Sequence, residues 1–157
     1  MVQAAHARRD VPAAHAAHPV RAAHLVHPIH PVHAVFLAGV IPLFAGALLS
    51  DIAYFRTYEI QWQNFASWLI AGGLVLAGVA LVFALFNLAP ARRTRGGVLY
   101  LVVLAVAWIV GFFNALHHAR DAWASMPGSL VFSVIATALI IAATWIAFCP
   151  PRLGDPR

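Results

Sequence analysis

Two groups of residues in this 157-residue chain have side chains able to do chemistry. The first is His24-x-x-His27-Pro28-Ile29-His30-Pro31-Val32-His33, with His15 and His18 in the same register and Arg21 between them. Prolines 28 and 31 bias the preceding residues toward extended backbone, and a polyproline helix repeats every three residues, so the imidazoles would line one face. Such a row could bind a divalent metal or buffer protons. The plain alternative is an Ala/Pro/His-rich arm without a fixed fold, in which only the last turn, where Pro31 can start a helix, meets the membrane. The second group is Asn114-Ala115-Leu116-His117-His118-Ala119-Arg120-Asp121-Ala122-Trp123. If a helix runs through it, Asn114, His118 and Asp121 share one stripe, and Asp121 lies four residues from His117, where its carboxylate could orient the imidazole. Asp51, Tyr54, Arg56 and Glu59 approach from another segment at the same depth. The alternative role is a latch, Asp51 with Arg120 or Arg56 with Asp121.

The elements that must position these residues are four apolar runs, about residues 34–54, 65–88, 98–116 and 129–149. At about 1.5 Å per helical residue each can cross a hydrocarbon layer about 30 Å thick. Hydrophobic residues make up 62% of the chain, charged residues only 10%, and mean hydropathy is +0.82; a soluble domain carries about 25% charged residues. Runs rich in Ala, Leu and Val without period-two alternation select helices over a barrel. The expected fold is all-α, a polytopic four-transmembrane-helix bundle. It divides into a His-rich, largely disordered arm (1–26), the transmembrane domain (27–149) and a short tail (150–157). Asn64 is expected to cap the second helix and Ser129 the fourth. Pro90 and the Pro150-Pro151 pair would end helices two and four, and Pro42 would kink helix one. Gly39, Gly46, Gly73 with Ala77, and Ala80 with Ala84 offer close helix contacts. Trp62, Trp68 and Trp123 at one level, with Tyr100 and Trp145 at the other, suit interfacial belts.

Arginine sets the expected orientation, since the chain has no lysine. Arg8, Arg9, Arg21, Arg92, Arg93, Arg95, Arg152 and Arg157 fall on one side, against Arg56 and Arg120 on the other, where Glu59 and Asp121 offset them. This bias places both termini in the cytoplasm, with His117 to Asp121 outside. The basic charge therefore reads as topology, with no nucleic-acid partner. Arg92, Arg93 and Arg95 are candidates for lipid headgroup contacts. The polar first 33 residues do not fit a signal peptide and are expected to stay attached. The lone Cys149 excludes internal disulfides, paired-cysteine zinc sites and covalent haem attachment. It reads as an apolar residue at a helix end.

HPIHPVH before helix one, Asp51 at that helix's far end, QWQNFASWLIAGG and FFNALHHARDAWASMP together resemble a bacterial integral membrane family, domain of unknown function 2231. The resemblance covers about residues 27 to 148. It implies four transmembrane helices, residence in the bacterial inner membrane and no established reaction. Similar members are encoded near periplasmic oxidoreductases and cytochromes, which implies a redox association by company alone. The arm before His24 lies outside the resemblance.

Three function classes follow. The leading one is a non-enzymatic accessory or anchoring subunit of a membrane or periplasmic redox assembly, without a cofactor of its own and acting through lipid and other membrane or periplasmic subunits. A homo-oligomer stays open. The second is a haem b electron carrier, and the third a metal-handling protein or transporter. Candidate metal or haem ligands are His27, His30, His33, His117 and His118; the candidate outer polar cluster is Asp51, Arg56, Asn114, His117, His118, Arg120 and Asp121. Transport is disfavoured by the lack of inverted repeats and of acids at mid-span, and enzymatic catalysis by the lack of a nucleophile with a base and an orienting group. Haem meets a geometric obstacle: helices one and three run in the same direction, so their histidines lie at opposite ends, about 30 Å apart.

Overall fold

Apolar side chains dominate four long segments between residues 31 and 148, so in lipid each segment must satisfy its own backbone, and helices result. The computed structural model describes residues 30–87 and 95–149, without the side chain of Trp123. It contains α1 (Pro31–Thr57), α2 (Ile60–Asn87), α3 (Arg95–His118), the single turn α4 (Ala122–Ser125) and α5 (Gly128–Phe148). The four long helices are each long and apolar enough to cross a membrane. The protein is therefore an all-α, multi-pass membrane protein. The arm before His30, Pro90, Arg92, Arg93 and the Pro150-Pro151 pair lie outside the described residues.

α1 neighbours α2 and α5, and α3 neighbours the same two, closing a four-sided bundle. Contacts of Gly39 with Leu76 and Gly46 with Leu69 make α1 and α2 antiparallel. Pairing of His33 with Tyr100 and Asp51 with His118 makes α1 and α3 parallel. One end of the bundle thus gathers the C-termini of α1 and α3 with the N-termini of α2 and α5; it is called here the Asp51 end. The opposite end is the His33 end.

The core is built mostly from small residues, Ala47, Ala66, Ala77, Ala80, Ala84, Ala107, Ala136 and Ala143 among them, which lets the backbones approach. Phe44 is the largest of the fully buried side chains, which include Leu37, Ile70, Leu104 and Ile140. Its ring occupies the space where a Cβ on Gly73 or Gly111 would stand, 2.7 and 2.9 Å away. Thr137 adds a bond between helices, its hydroxyl donating to the Phe44 carbonyl at 3.2 Å. Large apolar residues also point outward, with Trp68 78%, Phe86 77% and Trp145 70% exposed, as lipid-facing surfaces require.

Several boundaries differ from the sequence expectation. α1 starts at Pro31, and α2 starts at Ile60, so Asn64 lies within α2 and caps nothing. Residues Ile60 to Asn64 mix bulky apolar and amide side chains, which suit a helical turn at the membrane edge. Pro127 takes the cap position of α5, leaving Ser129 buried inside the first turn. Pro42 lies within α1, which is continuous through it. Tyr100 faces inward, bonded to His33, and belongs to no interfacial belt.

Candidate functional site

At the Asp51 end a hydrogen-bonded network ties three helices together. Asp51 comes from α1, where it continues the inward stripe of Phe44, Ala47 and Tyr54, and it is fully buried. Asn114 and His118 stand four residues apart on the inward face of α3, and Ser133 faces them from α5. His118 Nε2 lies 2.8 Å from Asp51 Oδ1, and its Nδ1 lies 3.0 Å from the Asn114 carbonyl. The Ser133 hydroxyl donates to Asp51 Oδ2 at 2.5 Å and accepts from Asn114 Nδ2 at 2.8 Å. Both carboxylate oxygens and both imidazole nitrogens are thus engaged. A buried carboxylate is tolerable only when paired in this way, because an unpaired buried charge costs several kcal/mol.

A shell of further polar groups surrounds the network. Gln63 in the first turn of α2 is buried and donates from Nε2 to the Ser125 hydroxyl of α4 at 3.0 Å, and Ser125 in turn donates to the Ala122 carbonyl at 2.8 Å. His117 packs its ring on Phe132 with centroids 4.8 Å apart and lies against Gly128, where a Cβ would come within 3.1 Å of its ring. Among the described residues, Gln63 Oε1, Asn114 Oδ1, His117 Nδ1 and Ser129 Oγ have no hydrogen-bond partner.

Of the residues expected to form an outer cluster, the structure brings together Asp51, Asn114 and His118, with His117 beside them. Arg56, Arg120 and Asp121 are exposed and stand outside the network. α3 stops at His118, and Asp121 precedes α4 with extended backbone, so the helical spacing of His117 and Asp121 does not exist. Neither expected latch pair, Asp51 with Arg120 or Arg56 with Asp121, is seen among the described residues: His118 meets Asp51 in place of Arg120, because the inward face of α3 ends on the histidine. Ser133 and Ser129, the latter expected only as a helix cap, and Gln63 and Ser125 were not anticipated at the site. The signal for the first two is a polar stripe, Ser129, Ser133 and Thr137, at four-residue intervals on an otherwise apolar helix.

At the His33 end the histidine row divides. His27 lies outside the described residues, His30 is exposed and stacks on Phe83 at 6.4 Å, and His33 turns inward as α1 begins. His33 is 3% exposed, shares a 2.8 Å hydrogen bond between Nε2 and the Tyr100 hydroxyl, and stacks on Phe83 at 5.8 Å. From His33 to Asp51 the path along α1 is about 27 Å, and apolar Leu37, Val40, Phe44, Leu104 and Ile140 fill the core between. Among the described residues no three of the His, Cys, Asp and Glu side chains gather as a metal site would need. Arg95 opens α3 at this end and is exposed; Arg92 and Arg93 lie outside the described residues. Cys149 is free and exposed just after α5.

The family model described as "Predicted membrane protein (DUF2231)" matches residues 27–147, nearly the whole bundle. No curated protein and no solved structure shows significant similarity to the chain.

Proposed function

Because the chain belongs to this family of predicted membrane proteins, we propose that it is a bacterial inner-membrane accessory or anchoring subunit of an electron-transfer assembly, acting through its helix faces and catalysing no reaction itself. The observation that carries this reading is where the molecule spends its residues. Connections are short, Tyr58–Glu59 between α1 and α2 and a segment with one helical turn between α3 and α5, so the described part offers little beyond the spans. The polar groups at the Asp51 end bond chiefly to one another, which suits holding the bundle's shape for a partner. The electron-transfer association rests on the company implied by the family resemblance, and the arginine balance supports placing the Asp51 end on the periplasmic side.

Haem b or a divalent metal is the competing reading, and the side-chain geometry favours it less. His118 would have to surrender its bond to Asp51 to ligate through Nε2, and His33 lies the length of the bundle from His117 and His118.

Isolation in mild detergent, followed by an absorption spectrum and mass spectrometry of the purified complex, tests the proposal. The expected result is a stoichiometric haem- or flavin-bearing membrane or periplasmic subunit accompanying the chain. A stoichiometric haem spectrum from the isolated chain, or a partner-free monomer, would contradict it.

A further inference from the structure

The hydrogen-bond partners of His118 fix the number of protons in the buried network. The Asn114 carbonyl can only accept, so His118 Nδ1 carries a hydrogen. Both oxygens of a carboxylate also only accept, and Ser133 already donates to Oδ2. The 2.8 Å contact between Nε2 and Oδ1 therefore contains a proton, held on either the imidazole or the carboxyl. As a unit the pair is neutral, which explains how Asp51 can sit in a membrane span with no exposed surface.

We propose that Asp51 and His118 form a one-sided proton-binding site, loaded and emptied from the Asp51 end of the bundle. This goes beyond the docking role and does not depend on it. In the exchange, the proton between Nε2 and Oδ1 passes to water at that end, while Nδ1 keeps its hydrogen and its bond to Asn114. What remains is an Asp51 carboxylate facing a lone pair on neutral His118. Two acceptors at that separation repel, so emptying the site loosens the junction of α1 with α3.

Three features of the surroundings support exchange. Asp51 lies six residues before the end of α1, a depth of about 9 Å. Ser129, on the same face of α5 as Ser133 and one turn nearer that end, has a buried hydroxyl with no partner among the described residues, as do the side-chain amide oxygens Gln63 Oε1 and Asn114 Oδ1. Polar atoms of this kind are the usual anchors of buried water, which can relay a proton. In the other direction, past the Thr137 hydroxyl bonded to the Phe44 carbonyl, the described core residues Phe44, Leu104 and Ile140 are fully buried and apolar, so among the described residues no polar route leads toward His33.

Few other charges can intervene. α2, α4 and α5 carry no ionisable residue; at the Asp51 end α1 adds buried Tyr54 and exposed Arg56, α3 adds His117, and Tyr58, Glu59, Arg120 and Asp121 are exposed on the connections, while His33, Arg95 and Tyr100 stand at the opposite end.

The test is a titration of the full chain in lipid nanodiscs between about pH 5 and pH 8, the range in which histidine sites exchange. Nitrogen-15 spectra of His118, assigned through its backbone, report the imidazole, and infrared difference spectra report the carboxyl. The expected result is one midpoint for both signals with a single proton exchanged by the pair, lost from the count in Asp51→Asn and kept in Asp121→Asn. Constant spectra for both groups across the range, or midpoints that differ, would overturn the proposal. Should Asp51→Asn fail to fold, the parent spectra decide alone.

Discussion

Asp51 is the residue on which the Asp51 end depends, and substitutions around it separate those inside the network from those beside it. Replacing Ser133 by Ala removes the donor to Oδ2 and leaves Asn114 Nδ2 without its acceptor. The expected cost is about 1–3 kcal/mol, read from unfolding in detergent. Asp121→Ala should leave both stability and partner association as in the parent, since Asp121 is exposed and outside the network. Equal losses for the two variants would remove Ser133 from its assigned role. Sequence reading reached Asp51, Asn114 and His118 because polar residues are costly inside apolar runs and therefore conspicuous. It missed Ser133 because a lone hydroxyl in a span is cheap, and it paired Asp51 with Arg120 because opposite full charges outrank histidine when no geometry is available. His33 with Tyr100 escaped for a related reason: tyrosine near a membrane surface suggests an interfacial belt until its partner is known.

At the scale of elements, small residues decide how closely the helices pack. Gly73 and Gly111 approach different edges of the Phe44 ring, so an added methyl at either must displace a fully buried aromatic. Gly73→Ala is expected to cost about 1–3 kcal/mol through overpacking, and combining it with Phe44→Leu should recover part of that loss, so that the pair costs less than the sum of its singles. Strict additivity would show that the ring has room to move. The spans themselves were legible, since hydropathy and length fix which segments cross a membrane. Their ends were not: α2 begins five residues before the expected start, because Gln61, Gln63 and Asn64 look like loop composition although Gln63 is buried against Ser125 within the helix bundle.

For the whole molecule, arginine placement predicts the orientation and the network predicts how the bundle holds together. In a Cys149→Ala background, Ala124→Cys should react with an impermeant thiol reagent on intact cells and Arg95→Cys should not; the opposite pattern would invert the bundle. That Asp51 and His118 act as one buried unit joining α1 to α3 follows from their burial and shared proton. It is tested most directly by the unfolding free energies, in one lipid or detergent system, of the parent, Asp51→Asn, His118→Asn and the double variant. Each single variant is expected to be strongly destabilised and the double variant to cost much less than their sum, with a coupling of about 1–3 kcal/mol. Additivity within about 0.5 kcal/mol would contradict it.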